Sequence, residues 1–128
     1  MDNRYQRGIA IMTEMAGDQG RKAMEGVSAF APDFARLIAE FGFGEVYDRP
    51  HLDLKQRELI TLSSLITQGA ENQLPFHFHS ALNIGYTLAE LIEVTIHCAV
   101  YTGFPRALTA LQVLQRVYAD REAGKLEV

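Results

Sequence analysis

The stretch LPFHFHSALNIGYTLAELIEVTIHCAVYTG, residues 74–103, decides the fold class. It holds two helices with stop and start signals between them. Pro75 suits the first turn of a helix, where its missing N–H is no loss. Gly85 suits the position just past a helix end, where the chain turns left-handed. Thr87 and Glu90 then have the spacing of a capping box, each side chain answering the other's backbone N–H. Leu91, Val94, Cys98 and Tyr101 follow at helical steps of three and four, up to Gly103.

The same grammar extends in both directions. Pro105 opens a last helix with Leu108, Leu111, Leu114 and Tyr118 facing inward. Upstream, Asp53 and Gln56 read as an earlier capping box, and their helix carries Leu59, Leu62, Ser63 and Ile66 as far as Gly69. Pro32 opens a helix with Phe34, Leu37, Ile38 and Phe41, which Gly42 and Gly44 are expected to stop before the RPHLD connection. Residues 17–31 are dotted with glycine and are expected to be partly loop. Residues 3–16 form a short amphipathic helix with Ile9, Met12 and Met15, ended by Gly17. No segment keeps a strand's period of two, so the fold is predicted to be all-α. Between residues 91 and 104 apolar residues nearly encircle the axis, which predicts subunit contacts and a homo-oligomer.

Composition narrows the function. At 128 residues, 48% apolar and 22% charged, the chain is expected to be one globular domain over residues 1–128. Its net charge of −4 argues against a nucleic-acid partner, since no basic stripe could neutralise a run of phosphates. No apolar run approaches the roughly 18 residues of a membrane span. The opening MDNRYQRG lacks the order of a secretory signal, and a lone cysteine, Cys98, forms no internal disulfide. Both point to the cytoplasm and to no membrane partner.

Two histidines in greasy company, His77 and His79, raise the question of chemistry. Such a pair can be a metal site, an acid–base site, or two core residues with satisfied nitrogens. On a helix the two diverge by roughly 200°, so they cannot ligate one ion together. No HExxH, HxxxH or cysteine partner completes a ligand set, and no metal is expected. Acid–base work needs a carboxylate that orients one imidazole. Glu58 is the natural candidate, in the first turn or so of the preceding helix among Leu59, Ile60 and Leu62. Spacing leaves open which residue of the next helix it meets, and a solvated charge at the helix N-terminus is the plainer reading. Cys98 reads as a small buried apolar side chain, and His51 as exposed. There is no phosphate loop and no GxSxG elbow.

RPHLDLKQRELITLSSLITQG and LPFHFHSALNIGYTLAELIEVTIHCAVYTGFPRALTAL together resemble the carboxymuconolactone decarboxylase family, which has the alkylhydroperoxidase D fold. The likeness is strong over residues 45–117 and extends more weakly over RGIAIMTEMAG and FAPDFARLIAEFGFGEVYDRP. It implies an all-helical subunit of about six helices, assembled as trimers or hexamers. One branch of the family carries a Glu, a CxxC and a His four residues later. Here Glu58 and His77 are in register, but Ala70 and Gln73 hold the thiol positions, so a dithiol peroxidase cycle is excluded.

The decarboxylase branch lacks the thiols, as this chain does. Its reaction takes carbon dioxide from γ-carboxymuconolactone in aromatic-compound breakdown. The resemblance therefore implies a lyase for a lactone or small organic acid, with no cofactor. His77 would donate the proton or stabilise the oxyanion, and Glu58 would orient it. Arg57, Gln73, His79 and His97 would contact substrate. In the family a basic pair stands at the positions of Met12 and Thr13, an Arg at His79 and often a Gln at His97. Each lost charged contact is worth about 1.5–3 kcal/mol, which implies a less anionic ligand. A thiol-independent isomerase or hydrolase, and a non-catalytic oligomeric binding protein, are the alternatives.

Overall fold

The computed structural model describes residues 3–124. Among these the chain is helical, with no strand. The six α-helices are α1 (Arg4–Phe30), α2 (Pro32–Leu37), α3 (Leu54–Gln68), α4 (Leu74–Asn83), α5 (Leu88–Thr102) and α6 (Phe104–Glu122). A π-helical segment, Ile38–Val46, continues α2, and a 3₁₀ turn, Glu71–Gln73, precedes α4. The described residues fall into two compact units that divide between Leu54 and Lys55. Met1 and Asp2, from the signal-peptide reading, lie outside the described residues, as does the end of the chain past Gly124.

In the first unit, Asn3 caps α1 by accepting the Gln6 N–H at 3.1 Å. The loop expected over residues 17–31 is corrected. Gly17 takes φ +62° and ψ −149° and kinks the chain, but the helix resumes and runs to Phe30. The stop expected at Gly42 and Gly44 is also corrected. Here the winding widens to the π pattern, and the Tyr47 N–H bonds to the Gly42 carbonyl at 3.0 Å. A Cβ on Gly44 would lie 2.1 Å from the Arg4 carbonyl oxygen, and one on Gly8 would lie 1.9 Å from that of Ala39. These glycines therefore let α1 and the π segment meet backbone to backbone. Arg7 braces the contact, donating to the Gly44 carbonyl at 3.3 Å and pairing with Asp48 at 3.1 Å.

The second unit packs α3–α6 around Leu62, Ile66, Leu74, Phe78, Leu91 and Leu114, each at most 2% exposed. Burying a side chain of this size is worth about 1.5–3 kcal/mol. The expected punctuation is present. Pro75 lies in the first turn of α4, and Gly85 follows its end with φ +111°. The Thr87 hydroxyl accepts the Glu90 N–H at 3.1 Å while Glu90 accepts the Thr87 N–H at 2.9 Å. That backbone N–H is the main reason the Glu90 carboxyl titrates below its ordinary range.

The face chosen for α6 is corrected. Its buried residues are Ala107, Ala110, Val113, Leu114 and Val117, while Leu108 and Leu111 are 51% and 37% exposed. Alanines let α6 approach its neighbours closely, so small residues, and not every leucine, mark its inner side. The same holds for Tyr101, which is 81% exposed beyond the buried Leu91, Thr95 and Cys98 of α5, and for Leu59, which lies outside the Glu58–Leu62–Ile66 stripe of α3. No helix among the described residues is long and apolar enough to cross a membrane.

Candidate active site

The second turn of α3 points Glu58 inward at the register of Leu62 and Ile66, and the residue is wholly buried. A carboxylate there needs a partner, because desolvating an unpaired charge costs several kcal/mol. The partner comes from α4. His77 Nδ1 lies 2.6 Å from Glu58 Oε1, and the His77 side chain keeps 15% of its surface accessible. An ionised carboxylate only accepts, so the proton between them belongs to Nδ1, and Nε2 is the ring atom left for other chemistry. The Phe76 ring packs edge-on to His77 at 5.1 Å. The structure thus resolves the open choice at Glu58: it is a buried carboxylate bonded to His77, and the solvated-charge reading is corrected.

The other expected site residues are distributed differently. His79 projects from the opposite side of α4, as helical geometry requires, and is buried at 6% exposure. Arg121 of α6 donates from Nη1 to His79 Nδ1 at 3.3 Å and to Asn83 Oδ1 at 3.0 Å. Burial lowers the His79 pKa first, the Arg121 charge lowers it further, and Asp120 opposes them. Gln73 is exposed at the end of the 3₁₀ turn, one helical turn before His77, and its N–H bonds to the Ala70 carbonyl at 3.0 Å. Arg57 is half-buried next to Glu58 in α3.

His97 stands apart from the dyad. It is exposed on α5, 5.8 Å from the Tyr101 ring, and lines a cavity of about 480 Å³. Leu59 and Ser63 of α3 and Glu90, Glu93 and Cys98 also line it, but Glu58 and His77 do not. In the first unit, Met12 and Thr13 line a smaller cavity of about 250 Å³ together with Arg21 and Glu25. No group of three or more His, Cys, Asp or Glu side chains among the described residues is arranged to hold a metal ion.

Sequence reading did not single out Arg121, Asn83 or Ser80. Asn83 was findable, four residues after His79 and so on the same face. Arg121 was not, because 42 residues separate it from His79 and only the packing of α6 joins them.

A wholly helical chain with a buried carboxylate holding an imidazole defines an acid–base site on a helical scaffold. Comparison with known proteins places it: residues 32–116 match the model of the carboxymuconolactone decarboxylase family, and the chain belongs to that family. It is 33% identical over 120 residues to the 4-carboxymuconolactone decarboxylase of Acinetobacter baylyi, covering 93% of this chain and 90% of that protein. It is 35% identical over 117 residues to the nitrosuccinic acid decarboxylase of Metarhizium robertsii, covering 91% and 82%. An uncharacterized 15.0 kDa protein of Paracoccus denitrificans is 32% identical over 101 residues, covering 77% of this chain and 75% of its own.

Proposed function

We propose that this chain is a decarboxylase of a small organic acid, with His77 as the proton donor and Glu58 as the group that orients and charges it. The observation that carries the reading is the 2.6 Å bond between His77 Nδ1 and a carboxylate that is wholly buried. Buried carboxylates that hold one imidazole nitrogen leave the other free for proton transfer, and this is a recurrent catalytic arrangement. The relatives named for activity are both decarboxylases, one of a carboxylated lactone and one of a nitro-acid. Both names describe a carboxyl group near a unit able to accept an electron pair.

The step balances without a cofactor. The carbon–carboxylate bond breaks, carbon dioxide leaves, and its electron pair moves into the neighbouring lactone or nitro group. That anion is the charge to be stabilised. His77 as imidazolium donates from Nε2, first as a hydrogen bond to the developing anion and then as the proton that replaces the carboxyl group. The Glu58 carboxylate compensates the positive ring throughout. Gln73, one turn before His77, and Arg57, beside Glu58, are the substrate contacts this reading favours. It assigns His79 to the α4–α6 contact.

Self-association as a trimer or hexamer belongs to the same proposal. Phe30, Phe34, Leu37 and Phe41 recur at helical spacing in the first unit, with exposures of 93%, 63%, 54% and 64%. In the second, Val100, Tyr101 and Phe104 are similarly open. Apolar surface of this extent fits contact with further copies.

The test uses the purified full chain with γ-carboxymuconolactone and with nitrosuccinate, following release of carbon dioxide. The wild type is expected to turn over at least one. His77→Gln keeps a donor for Glu58 but removes the titratable ring, and is expected to lose at least about 100-fold in kcat. Turnover of neither compound, or an undiminished rate in His77→Gln, would sink the assignment. Binding without turnover would favour a non-catalytic binding protein.

A further inference from the structure

Among the described residues of the second unit, two buried side-chain atoms have no hydrogen-bond partner: Glu58 Oε2 and Ser80 Oγ. Both residues are 0% exposed. Leaving a buried polar group unsatisfied costs about 1–3 kcal/mol, and more for a charged one, so two such atoms in one small core call for an explanation.

Their chemistry and placement provide it. A carboxylate oxygen only accepts, and a hydroxyl carries the one hydrogen that it lacks. Ser80 lies one helical turn beyond His77 on α4, and His77 already holds the other oxygen of the same carboxylate. Buried serines in helices commonly bond the carbonyl one turn back. Thr61, Ser63 and Thr109 do so here, at 3.1, 3.0 and 3.1 Å, and Ser80 does not. Its hydroxyl is therefore not spent on its own helix. Buried waters typically make about three hydrogen bonds to polar groups otherwise left without partners, and these two atoms supply two of them.

We infer that Ser80 is a positioning residue for the dyad: through one bridging water it completes the hydrogen bonding of Glu58 Oε2. The carboxylate is then fixed at both oxygens, Oε1 by His77 and Oε2 from the Ser80 side. This sets the orientation of the imidazole and the strength with which Glu58 pulls on the Nδ1 proton. The inference rests on the reading of Glu58 and His77 as the catalytic pair and adds the residue that anchors the pair from behind.

Histidine-selective ¹⁵N NMR on the full chain tests it without a substrate. In the wild type, the Nδ1 proton of His77 is expected far downfield, and Glu58→Gln should move it upfield. Ser80→Ala removes a donor that favours the ionised carboxylate, so the acid-side proton uptake of the pair should shift upward by about one pH unit. Ser80→Cys, a weak donor of similar shape, should shift it the same way by less. If Ser80→Ala fails to fold, Ser80→Cys alone decides. A folded Ser80 variant that titrates like the wild type overturns the inference, as does a crystal structure in which Ser80 bonds the Phe76 carbonyl. A wild-type Nδ1 proton unmoved by Glu58→Gln would instead overturn the dyad itself.

Discussion

The two faces of α4 carry the same side chain to opposite ends. His77 meets a buried carboxylate, and His79, two residues on, meets an arginine. A negative partner compensates a charged imidazole, while a positive one in a buried setting holds the ring neutral. Burial alone would have treated both as satisfied core histidines. The sign of the partner separates a group that can take up and give back a proton from one that serves as a fixed acceptor between helices.

That contrast can be broken at several points. The largest difference should appear in turnover: His77→Gln should fall by about 100-fold or more, whereas His79→Gln should stay within about threefold. Equal losses in carbon dioxide release would mean that both faces belong to the reaction. Next comes stability. His77→Ala leaves the buried Glu58 charge without its partner and should cost about 3 kcal/mol in urea denaturation. An unchanged midpoint would show that Glu58 carries no charge in the folded chain.

Arg121→Ala should cost less, about 1–2 kcal/mol, because it removes neutral acceptors' partner and leaves no buried charge behind. Its loss should appear in thermal melting with turnover retained. The smallest effect is acid sensitivity. His79 has a folded-state pKa below its ordinary value near 6.5, so its contribution is fully present above pH 6.5 and is lost as pH falls through the lowered value. Stability measured from pH 7.5 downward should therefore decline more steeply in the wild type than in His79→Gln. Parallel curves would remove the acceptor role from His79.

Much of the second unit was legible in the sequence because its signals are local. Pro75, Gly85, the Thr87–Glu90 box and Gly103 act within a few residues of where they stand, and each sits where its chemistry requires. The Glu58–His77 pair was legible as a candidate, since a short connection joins their helices. What was not legible depends on contacts across the fold. Gly44 looked like a stop, although its lack of a side chain serves an approach to Arg4 forty residues earlier in the chain. Leu108 and Leu111 looked like core because leucines draw the eye, yet alanines decide which side of α6 packs. His79 looked like a substrate contact until Arg121 was found beside it.

The π-wound segment has a consequence for insertions and deletions. Its wider turns accommodate more residues than an α-helix of the same length, and they deliver Gly44 to the Arg4 carbonyl. Removing one residue between Ile38 and Phe43 would let the segment wind as an ordinary α-helix, but everything after the cut would rotate by about 100°. Glu45 would then be brought toward the space that admits only a hydrogen atom. In this stretch a length change is a more severe lesion than most substitutions, and homologues that differ there in length would have to rebuild the contact with α1.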